Sequence, residues 1–130
     1  HDAVPRAQVP ALIAAHDVVV SPNEPASGAT MDKAVFEAAA CERLVVSSNP
    51  AFAELLGGLS LPLVVPRRDP AALAAAIERL ATADRAEAAA VLRRRVVESH
   101  SLEHWADMVL SAITDVRSHR GTAGGRRSAQ

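Results

Sequence analysis

Apolar positions along this chain follow two habits: short unbroken runs, and longer stretches with apolar residues three and four apart. The runs are Asp17-Val-Val-Val-Ser21, Leu44-Val-Val-Ser-Ser48 and, more weakly, Ser60–Pro66. Unbroken valines bounded by turn formers predict strands buried on both faces of a parallel sheet. The stretches predict helices. The first, Val9 to Ala15, has Pro10 in its first turn, where a missing N–H does no harm. A second runs from about Met31 to Cys41, with Thr30 as the expected N-cap and Asp32 in the first turn. Asn49-Pro50 starts a short helix that Gly57-Gly58 ends. Asp69-Pro70 starts another, with Leu73, Ala76, Ile77 and Leu80 on one face. A further helix spans about Ala86 to Glu98. The last runs from Leu102 to about Val116, with Leu102, Trp105, Val109, Ile113 and Val116 along one stripe expected to be buried, Trp105 as its anchor.

Alternating strands and helices define the α/β class: part of a Rossmann-like parallel sheet with flanking helices, ending in helices. Parallel neighbours joined through helices take right-handed crossovers. Ligands of such sheets bind outside the carboxyl ends of the strands. The loop Pro22–Gly28, rich in turn formers (Asn23, Pro25, Ser27, Gly28), falls at one of those ends.

The chemistry concentrates just beyond it, in Gly28-Ala-Thr-Met-Asp-Lys-Ala-Val-Phe-Glu37. A strand, a glycine-bearing loop and a helix start form a seat for phosphate, because free amides and the positive end of the helix dipole face the anion. Glu37, about two turns beyond the loop, offers a carboxylate that can accept hydrogen bonds from vicinal hydroxyls of a sugar. The combination points to a nucleotide sugar. The plainer reading of Glu37 is an exposed glutamate pairing with Lys33 one turn earlier, and Lys33 itself reads as solvated.

Composition narrows the classes. Apolar residues make up 49% of the chain but aromatics only 2%, so the core is built from small side chains and the stacking platforms of single-strand nucleic-acid binders are missing. A net charge of −1 supplies no field for nucleic acid. One cysteine, Cys41, precludes an internal disulfide and fits a reducing cytoplasm; it ends an apolar helix and is expected to be buried. No apolar stretch approaches the roughly 20 residues that span a bilayer. The opening His1-Asp-Ala-Val-Pro5 reads as a loop already inside a fold, so a fragment is expected. His100 and His104 stand four apart, but no third metal ligand is apparent. Arg93-Arg-Arg95 reads as solvated, and Glu54 as a surface acid. Residues 117–130 are expected to be a disordered basic tail.

From Val18 to Ile113 the chain resembles the C-terminal domain of retaining glycosyltransferases of the GT-B fold, the large group-1 set (family 4). The stretches that carry the resemblance are Asp17-Val-Val-Val-Ser-Pro22, Asp32-Lys-Ala-Val-Phe-Glu-Ala-Ala-Ala-Cys41, Leu44-Val-Val-Ser-Ser48, Leu63-Val-Val-Pro66 with Asp69-Pro70, and Ser101-Leu-Glu-His-Trp105. It implies that residues 1–116 are part of a nucleotide-sugar-binding domain, with Glu37 on the ribose hydroxyls. Many members carry a second glutamate eight positions earlier, where this chain has Ala29. A sub-group with glycine, a small polar residue and Asp-Lys before the helix is closer, and there the loop amides around Ala29 and Thr30 would hold the donor, beside Gly28 and Lys33. Glu42 replaces the usual glycine after Ala-Cys, at a left-handed position that strains a glutamate.

The resemblance implies sugar transfer from a nucleotide-diphosphate sugar to an acceptor hydroxyl, with retention, in polysaccharide or glycolipid biosynthesis. No cofactor and no metal are expected, since the nucleotide sugar is itself the donor substrate. The expected partners are that donor, an acceptor glycan or lipid-linked glycan, and the N-terminal domain of the same protein. No catalytic residue is expected in this segment, and alone it would be inactive. The setting is cytoplasmic, with peripheral contact at the inner membrane face as a second reading of the basic residues. The rival is a non-catalytic module, truncated or degenerate, that binds nucleotide or a partner without turnover.

Overall fold

The computed structural model describes residues 4–23 and 32–124, the side chains of 117–124 excepted. After a single 3-10 turn (Arg6–Gln8), the elements in chain order are α1 (Val9–Ala14), β1 (Val18–Ser21), α2 (Lys33–Ala40), β2 (Leu44–Ser47), a second 3-10 turn (Pro50–Phe52), α3 (Ala53–Leu56), α4 (Pro70–Thr82), α5 (Ala86–His100) and α6 (Leu102–Gly124). The chain is of the α/β class and ends in helices. It divides into two compact units, His1–Val97 and Glu98–Gln130.

In the first unit β1 and β2 pair in parallel, with Val18 opposite Leu44 and Ser21 opposite Ser47. The two strands differ in burial. All four residues of β2 are buried, whereas Val20 of β1 is exposed. Unbroken valines had predicted burial on both faces. Among the described residues β1 has a strand on one side only, and a strand at the margin of a sheet is not covered like a central one.

The third strand expected over Ser60–Pro66 is a single parallel bridge, Ser47 with Val64. Ser47 N–H donates to Leu63 O at 2.9 Å, and Val65 N–H to Ser47 O at 3.0 Å. Prolines explain why the pairing stops there. Pro62 has no N–H to give, and the Leu63 N–H turns back onto Leu61 O at 2.9 Å, a tight three-residue turn.

Helix ends follow the side chains that can satisfy them. Asn49 accepts the Ala51 N–H at 3.0 Å and Asp69 the Ala72 N–H at 2.8 Å, with proline at the first helical position in both cases. α2 begins later than expected: its N-cap is Asp32 rather than Thr30, which lies outside the described residues. It ends in a Schellman turn, with Glu42 N–H bonded to Ala39 O at 3.1 Å and Arg43 N–H to Ala38 O at 3.0 Å. This turn requires a left-handed residue, and Glu42 adopts it at φ 55°. The glutamate therefore keeps the backbone turn that glycine usually makes.

The core gathers Val35, Ala38 and Ala39 of α2, the apolar residues of β2, Phe52, Leu55 and Leu56, Leu63, and Ala76 and Leu80 of α4. Ala89, Leu92 and Val96 of α5 complete it. The face expected on α4 is mostly confirmed, with Leu73 packed against the core, although Ile77 is exposed. Phe36 and Phe52, the only phenylalanines, meet edge to face with ring centres 5.5 Å apart. Arg95 departs from the solvated reading. It is half-buried, and its Nη1 donates to Leu55 O at 2.6 Å and Gly57 O at 2.8 Å.

In the unit Glu98–Gln130, α6 overturns the expected buried stripe. Leu102 is 74% exposed and Trp105 57%; Ile113 and Val116 are exposed and Val109 is half-buried. No side chain of this unit is buried among the described residues. Periodicity sorts side chains onto a face, but burial needs a second surface against that face. His100 and His104 also fall on different helices, because the chain breaks at Ser101, whose Oγ accepts the His104 N–H at 3.2 Å.

Candidate functional site

Three chain segments converge at the carboxyl ends of the parallel pairs. β1 runs out into Pro22, β2 into Ser48, and the Val64 bridge into Val65-Pro66. Together with the first turn of α4 they enclose a cleft of about 330 Å³, near the lower end of ligand-pocket sizes. Its walls are Pro22, Val65 and Leu73, with Ser48, Arg68 and Asp69 as polar members. Arg68 stands in the left-handed region at φ 55°, and the Asp69 carboxylate is committed to capping α4.

α2 rises from the same end of the sheet. The Asp32 carboxylate accepts three hydrogen bonds: from Ala34 N–H at 3.0 Å, from Ser21 Oγ at 3.0 Å and from Asn23 Nδ2 at 2.8 Å. One oxygen caps the helix while the other holds the end of β1. The anion at the start of α2 is thus, in this structure, the chain's own carboxylate.

Gly28, Ala29 and Thr30 lie outside the described residues. Lys33 is the first residue of α2 and Glu37 the fifth. With the cap at Asp32, Glu37 sits about 6 Å of axial rise above Lys33, nearer the helix start than the sequence suggested. Both side chains are exposed, on the face away from buried Val35, Ala38 and Ala39. No ion pair joins Lys33 to Glu37 among the described residues. The plain pairing of these two is therefore not made, and the Glu37 carboxylate stands open to solvent.

Sequence reasoning missed three features. The Asp32 bonds to Ser21 and Asn23 span eleven and nine residues, a distance local patterns do not reach. The cleft arises only when three strand ends are brought together. Arg68 carried one weak signal, its place between a strand-ending proline and a helix-capping aspartate.

The other candidates fall away from this site. Glu54 is exposed in α3, and Cys41 is half-buried as the last cap of α2. A second cleft, lined by Asp17, Arg43 and Arg85 among others, opens at the amino ends of the strands. There Arg85 pairs with Asp17 at 3.1 Å and Arg43 donates to Ala14 O at 2.8 Å. Among the described residues no three histidine, cysteine, aspartate or glutamate side chains group as metal ligands. No helix among them is long and apolar enough to cross a membrane.

Comparison with protein families identifies the class. Residues 1–83 match the model of the glycosyl transferases group 1 family, a span that contains β1, α2, β2 and every residue of the cleft. The chain belongs to this group 1 glycosyltransferase family. No curated protein and no solved structure gives a significant match.

Proposed function

We propose that this segment forms part of the donor site of a retaining glycosyltransferase, which moves a sugar from a nucleotide-diphosphate sugar to a hydroxyl of a glycan or lipid-linked glycan. The observation that carries the reading is the family match over residues 1–83, which takes in both the helix bearing Glu37 and the strand ends. In this reading Glu37 accepts hydrogen bonds from the ribose hydroxyls, and the amides of Gly28, Ala29 and Thr30 face the diphosphate. Lys33, exposed at the helix start, adds a cation beside it.

The chemical need is to stabilise a diphosphate leaving group as the glycosidic bond breaks. Fixed N–H donors and cations in a site closed to water do this best. In this reading the segment supplies part of the donor site and does not catalyse alone. The remaining donor contacts and the acceptor site belong to the N-terminal domain. A cytoplasmic enzyme touching the membrane surface through basic residues completes the reading.

The test is calorimetric titration of the full-length protein with uridine, guanosine and adenosine diphosphates. Binding of one of them that weakens at least about tenfold in Glu37→Ala is the expected result. If all three fail to bind the folded protein, or if Glu37→Ala binds as tightly as the parent, the donor-site reading is wrong.

A further inference from the structure

We infer that Asp32 is a positioning residue of this site: it touches no donor but holds α2, and with it Glu37, against the end of β1. The inference rests on the donor-site reading above. An N-cap aspartate needs only one oxygen for its helix, and here Oδ1 takes the Ala34 N–H at 3.0 Å. Its second oxygen has a separate task. Oδ2 accepts from Ser21 Oγ at 3.0 Å and from Asn23 Nδ2 at 2.8 Å, so one carboxylate joins a helix start to a strand end.

Both ends of that tether are anchored. Ser21 is buried, opposite Ser47 in the sheet, and its carbonyl accepts the Ser48 N–H at 3.3 Å. On the other side, α2 is fixed to the core through fully buried Val35, Ala38 and Ala39. Apolar packing alone is non-directional and lets a helix slide along its axis. Hydrogen bonds to a carboxylate are short and directional, and these set how far α2 rises from the strand end. Glu37 is five residues on, on the same helix, so its height is set with it.

The experiment measures nucleoside-diphosphate affinity and thermal stability in the full-length protein for the parent, Glu37→Ala, Asp32→Ala, Asp32→Asn and the double variant Ser21→Ala/Asn23→Ala. Asparagine can still cap with its carbonyl, while Ser21 and the Asn23 amide can turn to accept from its NH₂. Expected is a loss of about tenfold or more in Asp32→Ala, with most of the affinity retained in Asp32→Asn. The double variant keeps the cap and removes only the tether, and it should weaken binding at little cost in melting temperature.

If Asp32→Ala does not fold, the double variant decides: unchanged affinity there overturns the assignment. Tighter binding in Asp32→Ala or Asp32→Asn also overturns it, since that would mark the carboxylate as a charge opposing the phosphates. Loss in Glu37→Ala with none in the Asp32 and tether variants removes the positioning role and leaves the donor site standing. Absence of binding in the parent removes both.

Discussion

Glu42 and Arg93 face each other with Oε1 and Nη1 3.1 Å apart, while the turn that ends α2 holds Glu42 at φ 55°. A left-handed backbone costs a residue with a Cβ about 1–2 kcal/mol. The ion pair returns little, because both side chains are about half exposed (50% and 54%) and such pairs contribute about 0–1 kcal/mol. Glu42→Gly removes the strain while adding freedom to the unfolded chain. The expected net gain is about 0.5–1 kcal/mol, read as a rise of a few degrees in melting temperature. Arg93→Ala should change it little. A fall in stability for Glu42→Gly would mean that the pair outweighs the strain.

Arg95 closes the carboxyl end of α3, where carbonyls lack partners within the helix. Two of them, Leu55 O and Gly57 O, accept from the same Nη1. Arg95→Ala leaves them without that cation and should cost about 1.5–3 kcal/mol. Arg95→Lys should recover only part, because the shorter lysine side chain must place a more strongly hydrated ammonium where Nη1 stands. Urea unfolding of the three proteins measures this directly.

Phe52 is fully buried and meets Phe36 edge to face. The other buried apolar residues of the core are Ala, Val and Leu, so removing this ring takes away the largest buried side chain and leaves a cavity. Phe52→Ala should cost about 3–5 kcal/mol, and Phe52→Leu clearly less. Equal losses would show that ring geometry rather than volume holds the site.

Trp105 is the only tryptophan and is more than half exposed on α6. Its fluorescence should therefore peak where solvated indole emits and be quenched freely by acrylamide. Trp105→Ala should leave the unfolding free energy within about 0.5 kcal/mol of the parent. A blue-shifted, protected emission would contradict the exposure of this helix face.

Much of the first unit was legible in the sequence because its signals are local. Asn49-Pro50 and Asp69-Pro70 each carry both the cap and the helix start, and both open helical turns as expected. The strands Val18–Ser21 and Leu44–Ser47 stand within one residue of the runs that predicted them. Glutamate in place of the usual glycine after Ala-Cys put the turn there in question, and the structure keeps it, with Glu42 left-handed. What failed depends on partners distant in sequence. Val20 carries the same side chain as buried Val46, but among the described residues its strand has a neighbour on one side only. Arg95 resembles its two arginine neighbours until the α3 carbonyls come within reach. Asp32 was read as a charge favourable to the helix dipole, and its bonds to Ser21 and Asn23 had no local sign.

The proline at position 62 reaches beyond the strand that it shortens. The Val65 N–H faces Ser47, so the N–H groups of the outer margin fall at positions 62, 64 and 66, and with proline at 62 and 66 only Val64 has one to offer an incoming chain. Among the described residues β1 has no such guard, since its outer margin carries valines and no proline within the strand. Among the described residues the two margins of the sheet therefore differ in kind: the one beyond Val64 is poor in donors for edge-to-edge pairing, and the one beside β1 is not.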